Sequence, residues 1–584
     1  MGDYHIEDIY QGGYSSLDSN SGMYYKGGRP NAGQFGMATD PRVANILSEV
    51  STKLQSGAKE IEISAIQPDV FESIPNQQLT EVKRLSKLTG VDISLHGILV
   101  EPSGFSTQGG YSEYAREEAE RQLLSNVRRG HELSPEGNIP ITFHSSNGWA
   151  GPEYKKTKKE EQIVMIPVIN QETGQVAAAR QETLYYPRMN QEELNAGYEV
   201  SAKDQVEIRN STEWNDSISN LVAIKERADR MIGETEPIFY EIQKKLSSGI
   251  KPENLTPTER DTYSRYNNAG LELHEIHKHL NNIFEKGYKY GDKEVMIKIS
   301  DDFRKSLKEN EGAGLSGESR AIDRLMRGLS SAPVPEIYKP LEDFAIDKTA
   351  ITFANVALNS YKEFKNTAPI ISIENPPAGG GLSRAEDLKR LVDTARDKFV
   401  EGAKQSGINE KEAREQANKL IGVTWDVGHI NMIRKYGYNE EDIIKESEKV
   451  APFVKHIHLS DNFGFEHTEL PMGMGNVPIK QIMEKLGEKG FEARKVIEAG
   501  NWWQHFKTSP FQETLEAFGS PIYGMKMAPY WNQSVGVQGY FGGYGQMLPQ
   551  GNYETMGSGF SSLPVELGGQ KQTGRSRMSG TPME

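Results

Sequence analysis

The chain contains no cysteine. That excludes disulfides, thiolate sites and iron–sulfur clusters, and leaves nitrogen and oxygen as the donors for any bound metal. It also lacks an excess of basic charge, since 67 lysines and arginines face 82 aspartates and glutamates for a formal net charge of −15. Cationic side chains on phosphates normally drive nucleic-acid binding. The balance therefore counts against DNA unless bound cations reverse the field inside a cleft. No apolar run approaches the roughly 20 residues that a membrane span needs. The N-terminus, MGDYHIEDIYQGGYSS, has neither the basic nor the apolar segment of a signal peptide, and Ile6 stands where myristoylation needs Ser or Thr. A soluble cytoplasmic protein is the expectation. Apolar residues make up only 36% of the 584, so part of the length is expected to be solvated helix and disordered tail rather than core.

What is present is a rhythm. After a Gly-, Ser- and Tyr-rich tail over 1–32, short β-type runs alternate with helical ones. Strands are expected at 34–38, 59–64, 91–96 and 140–144. Helices are expected through Val43, Ile46, Leu47 and Val50, near 77–88, and over 112–131, where Ala115, Ala119, Leu123 and Val127 form one stripe. The rhythm stops for about 200 residues, in which 163–187 reads as a hairpin turning at Thr173-Gly174 and 215–248 and 257–287 as long polar helices. It resumes with strands at 369–374, 421–426, 453–459 and 494–498. Ser383 and Glu386 have the spacing of a capping box for the helix carrying Leu388, Leu391, Val392, Ala395 and Phe399.

Eight apolar strands with helical crossovers predict a parallel sheet buried on both faces, and eight units close best as a (β/α)₈ TIM barrel. The predicted organisation is a tail over 1–32, a first half-barrel over 33–146, an insertion after the fourth strand over 147–345, a second half-barrel over 346–525, and a low-complexity tail over 526–584. A doubly wound sheet is the alternative to the barrel, and an independent domain lying between two others is the alternative to the insertion.

Ligand-type residues stand at the strand ends. His96, His144, Glu374 and Asp426 each close a strand, His429 follows Asp426 by three, His458 lies in HIHLSD, Glu498 closes the last strand, and His467 and Glu469 follow the seventh. A barrel brings its C-terminal strand ends to one mouth, where catalysis is found. Five histidines and four carboxylates gathered there are costly as bare charges, and divalent cations relieve that cost. His456, one pleat deeper than His458, is expected to support it. His274, His277 and His279 lie on a polar helix and read as a solvated face. The run Lys155-Lys156-Thr157-Lys158-Lys159 precedes two glutamates and reads as a solvated loop. Pro376–Gly381 reads as a flexible mouth loop whose glycines let backbone approach a ligand.

The pieces ISLHG, ITFHSS, IENPPAGGG, DVGHI, HLSDN, GMGNV and VIEAG, in this order at strand ends, resemble the endonuclease IV family within the xylose-isomerase-like barrel superfamily. The resemblance covers about 33–146 and 346–525. It implies three zinc ions: one on His96, His144 and Glu374; a second on Glu374, Asp426, His458 and Glu498; a third on His429, His467 and Glu469. The family's usual Asp-x-His is here His467-x-Glu469, one nitrogen and one oxygen donor in swapped order. The implied activity is hydrolysis of DNA beside abasic sites, with Glu374 bridging cations and Glu498 orienting the nucleophile. The competing reading is a sugar isomerase or epimerase of the same superfamily, using one manganese, cobalt or magnesium ion on Glu374, Asp426, His458 and Glu498. An inactive barrel acting as a binding protein is the third class.

Overall fold

The computed structural model describes residues 35–518, apart from 56–57, 107–109, 135–136, 157–160, 186–188, 190, 192–195, 501, 503–505 and 507–509. The expected tails at 1–32 and 526–584 and most of the lysine run after Lys156 lie outside the described residues. Eight parallel strands close into a barrel: β1 (Phe35–Ala38), β2 (Glu60–Ser64), β3 (Asp92–His96), β4 (Pro140–His144), β5 (Ile370–Glu374), β6 (Ile421–Asp426), β7 (Val454–Leu459) and β8 (Arg494–Ile497). Each pairs with its chain neighbour, and β8 meets β1 through Gly36↔Val496. This is the barrel that the sequence predicts, with the long interruption between β4 and β5.

The strands alternate, as a pleat must. Ile61, Ile63, Ile93, Leu95, Ile141, Phe143, Ile371, Ile373, Val423, Trp425 and Ile457 are buried, each contributing about 1.5–3 kcal/mol of hydrophobic stabilisation. The other face is polar. Register sets Glu62 beside Ser94, Ser372 beside Thr142, and Thr424 beside His456. Thr424 Oγ1 bonds Ser372 Oγ at 2.7 Å and Thr142 Oγ1 at 2.9 Å, a hydroxyl ladder across the interior. The sequence reading of strands apolar on both faces is corrected here. Both faces are buried, but the inner one carries hydroxyls, carboxylates and imidazoles.

The helix Glu113–Leu133 is capped by Ser112, whose hydroxyl accepts from Ala115 N, and it buries Ala119, Leu123 and Val127. The helix Ala385–Gln405 buries Leu388, Leu391, Val392, Ala395 and Phe399. Its expected capping box is absent. Arg384 is the N-cap and makes no side-chain cap bond. The Ala385 N–H instead donates to Glu446 Oε2 at 2.9 Å, so a distant carboxylate satisfies the helix start.

Ile163–Leu341 forms a second compact unit. Its hairpin pairs Met165–Ile169 with Val176–Arg180 and turns through Gly174 at φ +72°. Helices span Ala202–Ser247, Pro257–Tyr290, Lys293–Glu309 and Gly314–Ser331. The first starts earlier than the sequence reading placed it, where Ser201 caps Asp204 N. Trp214, Ile218, Leu221, Leu273, Ile276, Leu280, Ile322 and Leu325 belong to this unit's own core. His274 and His279 are exposed and His277 is half-buried.

Candidate metal centre

The inward position at the end of each strand from β3 to β7 delivers one donor: His96, His144, Glu374, Asp426 and His458. Glu498 follows β8, its N–H donating to Leu459 O at 3.0 Å. Register brings Glu374 beside His144 and Asp426 beside His458. Among the described residues four groups have their ligand atoms all within 4.8 Å of one another: His96, His458 and Glu498 form one and Glu62, His456 and His458 another, and the two that share Glu374 are His96, His144 and Glu374, and Glu374, Asp426, His458 and Glu498.

Glu374 belongs to both groups and is fully buried. Its Oε2 lies 3.3 Å from His96 Nε2 and 3.3 Å from His144 Nε2. Its Oε1 lies 2.8 Å from His458 Nδ1, which is 3.3 Å from Glu498 Oε1. Ligand pairs on a tetrahedral cation with bonds of about 2.0–2.1 Å sit about 3.3 Å apart. Glu374 Oε2 and Asp426 Oδ2 are buried without a hydrogen-bond partner, a costly state that a cation would relieve. The donor set therefore fits a divalent metal, with imidazole and carboxylate but no sulfur.

The supporting groups orient these donors. His96 Nδ1 donates to Gly97 O at 3.1 Å and His429 Nδ1 to Asn375 O at 2.7 Å, so each turns its Nε2 inward. Asp426 Oδ1 accepts from His429 N at 2.7 Å, capping the turn Val427–Asn431, and from Ser460 Oγ at 3.2 Å. Asn375 ties β5 to β6. Its Nδ2 donates to Asp426 O at 3.0 Å, and its Oδ1 accepts from Asp426 N at 2.9 Å.

The crowding distributes protons unevenly. Burial would lift the Glu374 carboxyl, but His458 and His144 hold it well below the ordinary carboxylate range. Burial together with Glu498 and Glu374 pushes Asp426 well above it. Burial opposes the charge on His96, yet Glu374 and Glu498 raise it to about 9. Burial and His467 press His429 down to about 3, leaving a neutral imidazole. Burial and Glu498 raise Glu469 to about 7.

The third implied set is less compact. His467 Nε2 touches His429 Nε2 at 2.9 Å, while Glu469 Oε1 lies 3.9 Å from His467. Among the described residues these three do not form a group with all donors within 4.8 Å. Glu469 adopts a left-handed backbone, φ +46°. The surrounding loop is fixed by Asp461, whose carboxylate accepts from Asn462 N, Gly473 N and Val477 N. A Cβ on Gly475 would come within 2.3 Å of Asp461 Oδ1, which explains the glycine of GMGN.

The mouth loop Pro376–Gly381 is pinned rather than free. Gly381 N donates to Trp149 O and Gly151 N to Gly379 O. A Cβ on Gly381 would meet the Trp149 ring at 2.3 Å, so this glycine admits an indole instead of a ligand. Among the buried carboxylates that escaped the sequence reading is Glu62 on β2, 3.2 Å from His456 Nε2 and 3.3 Å from His458 Nε2. Its only sequence signal is the alternation of EIEIS, which a strand with one solvated face would share.

Known proteins resemble parts of this chain. An uncharacterized protein of Methanocaldococcus jannaschii is 30% identical over 84 residues, 14% of this chain. The chain thus spans about a quarter (27%) of that curated relative's length. Among solved structures, D-psicose 3-epimerase from Clostridium cellulolyticum H10 aligns at 9% identity over 84% of this chain and 98% of its own, with a TM-score of 0.37. A D-tagatose 3-epimerase-like protein aligns at 12% over 83% and 96%, TM-score 0.36. A 3-keto-D-glucoside 4-epimerase from E. coli aligns at 11% over 84% and 98%, TM-score 0.34. Residues 370–517, the half of the barrel that supplies Glu374, Asp426, His458 and Glu498, match the family described as the xylose isomerase-like TIM barrel.

Proposed function

We propose that the barrel mouth is a polynuclear zinc centre that hydrolyses phosphodiesters, as in the endonuclease IV family, with DNA at abasic sites as the substrate. The observation that carries this reading is the division of Glu374, whose Oε2 faces His96 and His144 while its Oε1 faces His458. Such a carboxylate suits a ligand shared between two cations, whereas with a single cation His96 and His144 would bind substrate instead. Bound divalent cations would polarise the phosphoryl group and ease deprotonation of the attacking water.

The chain's own residues have definable tasks in that reaction. Glu374 spans the two donor groups. His96 and His144 complete the first, and Asp426, His458 and Glu498 the second. Glu498 keeps 17% of its side chain exposed, so its carboxylate orients the attacking water from the solvent edge. His429, His467 and Glu469 are assigned to a third cation, whose binding requires the 2.9 Å His429–His467 contact to open toward about 3.3 Å. Cations in the mouth would also offset the chain's acidity where a phosphate must approach.

A second reading has its own observation. Glu374, Asp426, His458 and Glu498 form a four-donor group by themselves, enough for one manganese, cobalt or magnesium ion in a sugar isomerase or epimerase. His144→Ala discriminates between the two. Under the hydrolase reading it folds but loses cleavage of an abasic-site duplex, because His144 belongs to the donor group that a single-cation site does without. Full cleavage by His144→Ala would reject the polynuclear reading. Ketose turnover followed by NMR and lost in Glu498→Ala, with no duplex cleavage by the wild type, would establish the isomerase instead.

A further inference from the structure

We infer that Glu62 is a positioning residue that sets the tautomer and orientation of His458 for metal binding. The inference rests on the reading of the mouth as a metal centre. Glu62 lies on β2, far in sequence from the strand-end donors, and is fully buried. A buried carboxylate carries a large desolvation cost, and an apolar side chain of its size would avoid it. Its surroundings indicate what it does. One side of the carboxylate meets His456 Nε2 at 3.2 Å, and both oxygens lie 3.3 Å from His458 Nε2.

An ionised carboxylate only accepts hydrogen bonds, so Nε2 of His458 donates to Glu62. Nδ1 is thereby turned to the opposite side. There it faces Glu374 Oε1 at 2.8 Å and Glu498 Oε1 at 3.3 Å. Without a cation Nδ1 hydrogen-bonds Glu374 Oε1, and a cation would take the place of that proton between the imidazole and the two carboxylates. The order carboxylate, imidazole, cation is a recurrent way to hold a ligating histidine, and losing the outer carboxylate typically weakens binding by about 10–100-fold. His456 Nε2 lies 3.2 Å from the same carboxylate, which places the deeper histidine of HIHLSD beside Glu62.

The test is zinc affinity, by competition with a chromophoric chelator, and the visible spectrum of the cobalt(II)-loaded protein, for wild type, Glu62→Leu, Glu62→Gln and Glu60→Gln. Glu60 is the control, because it is buried on the same strand but faces Arg494 at 3.7 Å. Glu62→Leu should bind zinc about 10–100-fold more weakly and show an altered cobalt spectrum. Glu62→Gln keeps an amide oxygen to accept the Nε2 proton, so its loss should be intermediate. Glu60→Gln should match wild type in both readouts. If Glu62→Leu does not fold, Glu62→Gln decides: affinity and spectrum equal to those of Glu60→Gln would overturn the inference. A folded Glu62→Leu with wild-type affinity and spectrum would overturn it as well, while leaving the metal centre standing. A wild type that takes up neither zinc nor cobalt would remove the metal reading, and this inference with it.

Discussion

Replacing Glu446 by Gln tests how the loop leaving β5 is anchored. Arg384 ends that loop, and its guanidinium grips Glu446 with two bonds, Nε to Oε2 at 3.2 Å and Nη2 to Oε1 at 3.0 Å. Glu446 Oε2 also accepts from Ala385 N, and Arg384 Nη1 donates to the Tyr438 hydroxyl at 3.0 Å. Burial would raise the Glu446 carboxyl, but Arg384 and then Lys449 hold it down from 4.5 to about 2. That difference corresponds to about 3 kcal/mol of native-state stabilisation. Because the folded-state value is depressed, the contribution is complete above pH 4.5 and fades as the pH falls through about 2. Glu446→Gln should therefore lose about 3 kcal/mol at pH 7. Its deficit should stay level down to about pH 5 and shrink below pH 4.5. Hydrogen exchange over 385–405 and 440–450, with urea unfolding at each pH, reads both quantities. A deficit under about 1 kcal/mol at pH 7, or one that persists undiminished to pH 3, would refute the account of this pair.

Two further substitutions probe the frame of the centre. Asn375→Ala leaves the buried N–H and carbonyl of Asp426 without their partners, and should cost about 2–4 kcal/mol in a thermal melt together with a loss of zinc affinity. Gly428→Ala would place a methyl 2.1 Å from Ser460 Oγ and 2.8 Å from Ser460 O. It should destabilise the barrel by about 1–3 kcal/mol and, by disturbing the Ser460–Asp426 bond, reduce metal content per chain. Normal metal content in Gly428→Ala would mean that Asp426 does not need Ser460 to hold its place.

The barrel was legible because its signals are local. Alternating β and helical periods repeat at intervals that parallel pairing requires, and all eight runs read from the sequence are strands. The donor positions were legible for the same reason. Once strands are parallel and closed, the last inward residue of each must meet the others, so His96 and Glu498 become neighbours across 400 positions. What stayed hidden depends on contacts between distant parts of the chain. Glu62 looks like the polar face of EIEIS, and only closure of the barrel reveals that this face is interior. Ser383 has the spacing of a cap, yet Glu446 from another helix takes the task. The start of the helix at Ala202 was readable in Ser201 and Asp204, but the polar stretch that follows carries little apolar period. The arrangement of His429, His467 and Glu469 is set by the Asp461 hub and by the left-handed backbone of Glu469, neither of which residue spacing encodes.

Metal content per chain tests the central claim most directly. It is measured by inductively coupled plasma mass spectrometry on the full chain purified without chelator or affinity metal. The account predicts two or more zinc-class ions per chain, falling in Glu374→Ala, which removes the carboxylate common to both donor groups. A single ion per chain, unchanged on adding zinc, would contradict the polynuclear centre. No ion at all, with none taken up, would contradict a metal centre of any kind.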